Sequence, residues 1–446
     1  MLGNFIRTFR GQSTTMKTLR ISENQRFLSY EDGASFFWLG DTAWELIHKL
    51  NREEVDEYLL HRADLKFNVI QTVILAESNG LCTGNAYGKL PLKQNAGGFY
   101  DPGLPDTDGT NHYWHHVDYV IDRAASLGLY VALLPTWGDK FHLKHGTGPE
   151  IFNEQNAAIY GRWVGERYKD RPNVIWVLGG DRPLVTFDHF AIIRAMAQGL
   201  REGDQGRHLM TYHPAGCQSS SHQLHHETWL DFNMIQSGHG ERLTSSHRMV
   251  TEDYHKTPTK PTLDAEPCYE DIPIGFRPEN GYFDASDVRT AAYYAVFSGA
   301  FGHTYGHHSI WSMTLKPGDH YLMHWRDALS RPGAAQMQHL RSLMEAYPDL
   351  DRVPDQSLLE SNHSGANYMA ATRGRDFVMI YSPNGVAASV VMGKIAGDQV
   401  RAAWYDPRNG QFIEAGRFPN SRIQVFQPPT SGRGNDWVLL LETVLE

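Results

Sequence analysis

Cysteine is scarce in this 446-residue chain: Cys82, Cys217 and Cys268 lie far apart, and no C-x-x-C pair occurs. That spacing excludes a disulfide framework and a zinc-knuckle module. No apolar run of about 18 residues exists, so no segment reads as a membrane-spanning helix. Met1 to Thr18 carries Arg7, Arg10 and Lys17 but lacks the apolar core of about 7–15 residues that a signal peptide needs. A cytoplasmic location is the default expectation. A periplasmic or secreted location is the alternative if the N-terminus is processed or mis-set, as with a true start at Met16. Basic runs are missing as well, and the formal net charge is -10, which argues against a duplex nucleic-acid partner. Also absent are a G-x-G-x-x-G after the first strand, a G-x-S-x-G elbow, a Walker loop and an H-E-x-x-H helix. Dinucleotide binding, serine hydrolysis, P-loop chemistry and zincin catalysis are therefore unsupported.

Aromatic residues, by contrast, are plentiful: 11 Trp, 21 Tyr and 20 Phe. Rings of this kind suit stacking on apolar sugar faces, although a large core also consumes them. The run Asn173-Val174-Ile175-Trp176-Val177-Leu178-Gly179-Gly180-Asp181 has the texture of a strand buried on both faces. Its glycine pair permits a sharp bend before a carboxylate. Similar runs recur over 35–41, 68–76, 129–137, 208–213, 232–237, 261–266 and 301–305, mostly separated by helical stripes. Asn51 with Glu54 opens one such helix by capping-box spacing. Strand–helix alternation with eight strands predicts an α/β fold, a closed (β/α)8 TIM barrel. After Pro348 and Pro354, short strand-like segments alternate with turns, as in a small antiparallel β-sandwich. The expected organisation is a tail over 1–18, a barrel with an N-terminal β-hairpin over 19–350, and a β-sandwich domain over 351–446.

A barrel gathers the C-terminal ends of its strands on one face. Asp181 follows the fourth strand and Glu266 the seventh, which places two carboxyls across a central opening. Glycosidic cleavage needs such a pair, one to protonate the leaving oxygen and one to attack or to activate water. Around them, Asp41, Trp44, Glu77, Asn79, Trp137, His213, Gln236, His239 and Tyr305 are candidate substrate-binding residues at strand tips. Each has a plainer alternative. Asp41 and Asp181 can cap a following helix, Trp44 and Trp137 can be core, and Glu77 can be a solvated loop charge. Lys89, Lys93, Lys140 and Lys144 fall in loops on the same face, where they could form a positive patch or stay solvated. The 23 histidines include the groups His112/His115/His116, His225/His226 and His303/His307/His308, but none has a convincing ligand pattern. No metal and no cofactor is expected.

Phe37-Trp38-Leu39-Gly40-Asp41-Thr42-Ala43-Trp44, Asn68-Val69-Ile70-Gln71, Val174 through Asp181 and Asp264-Ala265-Glu266-Pro267 resemble the apiosidase-like glycoside hydrolases, glycoside hydrolase family 140. Trp404-Tyr405-Asp406-Pro407-Arg408-Asn409-Gly410 is similar to the W-[YF]-[DN]-P-R-x-G segment of the collagen-binding-type β domain that follows the barrel in that family. The resemblance implies a retaining glycosidase with Asp181 as acid/base and Glu266 as nucleophile, their carboxyls about 5–5.5 Å apart. It also implies a carbohydrate substrate, an apiose-type pentose linkage in a pectic plant cell-wall glycan or its oligosaccharides. The expectation from the chain is thus a glycoside hydrolase. The alternatives are a retaining glycosidase of other specificity, such as an arabinofuranosidase or another exo-glycosidase, or a non-catalytic carbohydrate-binding protein.

Overall fold

The computed structural model describes residues 16–242, 246–318 and 320–444. The tail expected over 1–18 falls outside the described residues up to residue 15. A three-stranded antiparallel sheet (Leu19–Ile21, Leu28–Tyr30, Ser35–Phe36) leads into the barrel; its third strand was expected as the start of the first barrel strand, which begins only at Trp38.

Eight strands form the barrel: β1 (Trp38–Thr42), β2 (Val69–Leu75), β3 (Tyr130–Thr136), β4 (Val174–Gly179), β5 (Met210–His213), β6 (Asn233–Gln236), β7 (Thr262–Asp264) and β8 (Gly302–Tyr305). Neighbours pair in parallel from β5 through β4, β3, β2, β1, β8 and β7 to β6. The ring closes between β5 and β6 without a strand ladder. There the Asp231 N–H donates to the Met210 carbonyl at 2.8 Å and the Thr211 hydroxyl to the Phe232 carbonyl at 2.6 Å. A short antiparallel segment, Gln218–Ser219, extends the sheet beyond β6.

The period of two along the strands explains the two apolar shells. Val69, Val73, Ala132, Leu134, Ile175 and Val177 point inward and pack together with Trp38, Met234 and Leu263. Ile70, Ile74, Val131, Leu133, Val174 and Trp176 point outward against the helices. Gln71 shares the inward parity, and its amide donates to the Ala265 carbonyl at 3.1 Å, tying β2 to the chain just before Glu266. The outer layer is α1 (Arg52–Asp64), α2 (Tyr113–Ser126), α3 (Glu154–Tyr168), α4 (Phe187–Asp204), α5 (Ser246–Tyr254), α6 (Ala285–Phe297) and α7 (Pro332–Ala346). Asn51 and Glu54 form the capping box that opens α1. α5 and the hairpin Leu92–Gln94/Tyr100–Pro105, inside the long loop after β2, were not foreseen. Asp41 caps no helix: it and Thr42 remain in the strand, and the one-turn helix that follows starts at Leu46.

After α7 come a six-stranded antiparallel sheet and a two-stranded one, Ala388–Val391 with Ile423–Phe426. Val378, Ile380, Leu439 and Leu441 of the larger sheet pack against Ala388, Val390 and Phe426 of the smaller. The other face of the large sheet joins the barrel. Met379, Tyr381, Val438 and Leu440 share one buried apolar cluster with Tyr293, Phe297, Leu340 and Leu343 of α6 and α7. Tyr293 stacks on Tyr381 with centroids 5.0 Å apart. A buried two-pronged ion pair crosses the same seam: Arg289 Nε to Asp436 Oδ2 at 3.0 Å and Nη2 to Oδ1 at 2.6 Å. Asp436→Ala would strand a buried guanidinium, so it is expected to lower stability by about 3–5 kcal/mol. Urea unfolding of the full chain measures this.

Candidate active site

β4 ends at Gly179, and this residue and the two after it turn the chain across the barrel mouth. Gly179, Gly180 and Asp181 have φ of 94°, 93° and 59°. A Cβ on Gly179 would sit 2.5 Å from the His213 carbonyl oxygen, and one on Gly180 2.7 Å from the Gly138 nitrogen. Both glycines are therefore required, and Asp is among the residues that accept the left-handed conformation at the third position. Asp181 caps no helix, since α4 begins later and is capped by Thr186. Its carboxyl Oδ2 lies 2.9 Å from His145 Nε2 and 3.4 Å from Arg182 Nη1. Burial, then the negative charge of Glu266, push the Asp181 carboxyl up to about 6.

Glu266 stands two residues past the end of β7 and is 7% exposed. His239 Nε2 lies 3.1 Å from its Oε1, and His213 Nε2 lies 2.9 Å from its Oε2. Backbone groups set the tautomer of both rings. The Asp181 N–H donates to His213 Nδ1 at 3.2 Å, and the Tyr269 N–H to His239 Nδ1 at 3.4 Å. With Nδ1 of each ring facing a backbone donor, the proton on each Nε2 faces the carboxylate. Burial alone would raise Glu266, but the two imidazoles outweigh it and hold the carboxyl down to about 2. Below about pH 6 Asp181 thus keeps its proton while Glu266 is ionised, in a single cavity where the charge of Glu266 helps to raise Asp181.

That cavity has a volume of about 600 Å³. Trp44, Glu77, Trp137, Gln236, His239, Asp181 and Glu266 line it, so seven of the sequence candidates meet there. The two tryptophans are 4% exposed, with centroids 5.2 Å apart at a tilt of 56°. His213 lies behind the wall, fully buried. Burial and the nearby Asp139 push Glu77 up to about 7. Three candidates lie elsewhere. Asp41 is fully buried and held by Arg62 Nε at 2.5 Å and the Tyr58 hydroxyl at 2.6 Å. Tyr305 is buried too, donating to Glu270 at 2.7 Å. Asn79 is an exposed turn residue whose carbonyl accepts from Cys82 and Thr83. The lysine patch does not assemble: Lys140 is buried against Asp139, Lys93 pairs with Asp108, and of the four only Lys144 lines the cavity.

His145, Tyr269, Phe276 and Trp311 also line the cavity and were not singled out, and His308, weighed above only as one of a histidine group, lines it too. They sit on the loops and one-turn helices beyond the strand ends, too short for any periodicity to mark them. Among the described residues, no group of three or more His, Cys, Asp or Glu side chains is arranged to hold a metal ion.

A parallel barrel with paired carboxyls in an aromatic cavity at its C-terminal face defines a glycoside hydrolase, and the comparisons with known proteins agree. The family described as "Apiosidase-like, catalytic domain" matches residues 22–351, and the chain belongs to it. Residues 353–442 match the "Putative collagen-binding domain of a collagenase". A solved glycoside hydrolase family 5 protein from Bacteroides vulgatus ATCC 8482 is 35% identical, with 96% of this chain and 93% of that one covered and a TM-score of 0.86. Another solved structure, described as a glycoside hydrolase, is 36% identical with coverage of 96% and 97% and a TM-score of 0.87. No curated protein matches the chain.

Replacing His239 with Ala removes one of the two groups that lower Glu266 while leaving it buried. The acid limb of the activity profile is then expected to move upward from about 2 toward the ordinary carboxylate value near 4.3. A pH–kcat/KM profile of the variant against the unaltered enzyme measures the shift.

Proposed function

We propose that the chain is a retaining glycoside hydrolase that releases an apiose-type pentose from a plant cell-wall glycan or its oligosaccharides by double displacement. The supporting observation is the divergence of two carboxyls in one cavity, Asp181 at about 6 and Glu266 at about 2. The ionised Glu266 attacks the anomeric carbon while Asp181 gives its proton to the departing glycosidic oxygen. The glycosyl ester that forms consumes the Glu266 charge. One of the two causes that raise Asp181 then disappears, and its carboxylate becomes the stable form. In that form it takes a proton from the incoming water, whose oxygen displaces Glu266 and restores both groups. Trp44 and Trp137 offer ring surface to the sugar. Glu77, raised to about 7, offers a carboxyl that can donate to a sugar hydroxyl.

Pentose specificity rests on the family resemblance, and the retaining course on the assigned roles of the two carboxyls. Asp181→Ala is expected to reduce kcat by about 10²–10⁴-fold on a substrate with an unactivated leaving group. Glu266→Ala is expected to abolish turnover while sugar binding persists. Unchanged activity in both variants, on aryl furanosides and on rhamnogalacturonan II fragments, would remove the mechanism. NMR of the first-formed product reports retention or inversion. In the unaltered enzyme the donor must be protonated, so kcat/KM is expected to fall as pH rises through about 6.

A further inference from the structure

A second, smaller cavity opens beside the N-termini of α1 and α2, and therefore on the same end of the barrel as the active site, since both helices follow strand C-termini. It holds about 150 Å³ and is lined by Arg52, Tyr87, Asn111, His112 and His116. Every lining side chain is polar, and none is a carboxylate.

The lining groups present donors. His116 is 2% exposed; the Leu50 backbone acts on its ring, but neither ring nitrogen has a hydrogen-bond partner of good geometry. The Arg52 Nε is buried without a hydrogen-bond partner, and its guanidinium rests over the Tyr119 ring at 4.8 Å. The Tyr87 hydroxyl accepts from the Arg52 backbone N–H at 2.9 Å, which leaves its own proton to give. His112 Nδ1 accepts from the His115 N–H at 3.3 Å, so the neutral ring carries its proton on Nε2. Asn111, at φ 57°, sits just ahead of that cap. Buried polar groups are ordinarily satisfied, and the unpaired Arg52 Nε and the unpaired ring of His116 at this cavity leave a place for a partner from outside. Two helix N-termini add partial positive charge nearby. Burial pushes His116 down to about 4. At neutral pH the His116 ring is therefore uncharged, and the cation among the lining side chains is Arg52.

We infer that this cavity binds a small oxyanion, a carboxylate or a phosphate, at a site separate from the catalytic one. Its carboxylate source would be a uronic acid of an acidic glycan, its mineral source free phosphate. The site does not depend on the reaction assigned to the main cavity.

The test titrates the full-length protein with D-galacturonate, acetate and inorganic phosphate at constant ionic strength. Calorimetry and the imidazole NMR signals of His112 and His116 supply the readout. Saturable binding of at least one anion is expected, weakened tenfold or more by Arg52→Gln and by His116→Leu. Turnover of a small aryl glycoside is expected to stay unchanged in Arg52→Gln, which touches no catalytic group. Binding of both galacturonate and acetate assigns the site to carboxylates; binding of phosphate alone assigns it to the mineral ion. Failure of all three anions to bind, or undiminished binding in a folded Arg52→Gln variant, overturns the inference.

Discussion

A carboxylate taken out of water stays ionised only when the protein replaces the lost solvent with donors. At Glu266 those donors are the imidazoles of His213 and His239, and their usefulness depends on which nitrogen carries the proton. The backbone decides that. One ring is oriented by the N–H of Asp181 and the other by the N–H of Tyr269. The peptide carrying one acid thus fixes the imidazole that stabilises the other. Much of the surrounding fold can be understood as holding those backbone groups still. The two glycines let β4 bend against β5, and Gln71 anchors the strand that leads to Glu266.

The barrel and its helices were legible because their signals are periodic. The inward and outward shells follow from alternation along each strand, and the capping box at Asn51 and Glu54 marks a helix start without ambiguity. The antiparallel domain announced itself by turn spacing. The hairpin inside the loop after β2 and the ring closure at β5 and β6 were less visible, since neither has a periodic run to announce it.

The site was legible in part, and the misses are instructive. Leu39-Gly40-Asp41 and Leu178-Gly179-Gly180-Asp181 look alike on paper. The single extra glycine carries Asp181 past the end of its strand, whereas Asp41 stays within β1 and is claimed by Arg62 and Tyr58 of α1. Tyr305 fails for a similar reason: as the last residue of β8 it meets Glu270 instead of the cavity. Position at a strand tip says that a side chain is near the mouth but not which way it turns. His145, beside Asp181, comes from a loop with no pattern that could have pointed to it.

The seam between the barrel and the C-terminal sheets has a consequence for how this protein could change over evolution. Tyr381, Met379 and Leu440 complete a core that α6 and α7 begin, and Asp436 neutralises a cation rooted in α6. A domain joined in this way is not a detachable module. Truncating the chain after α7 would expose an oily surface and an orphaned guanidinium, so shuffling could exchange the two parts only as a matched pair.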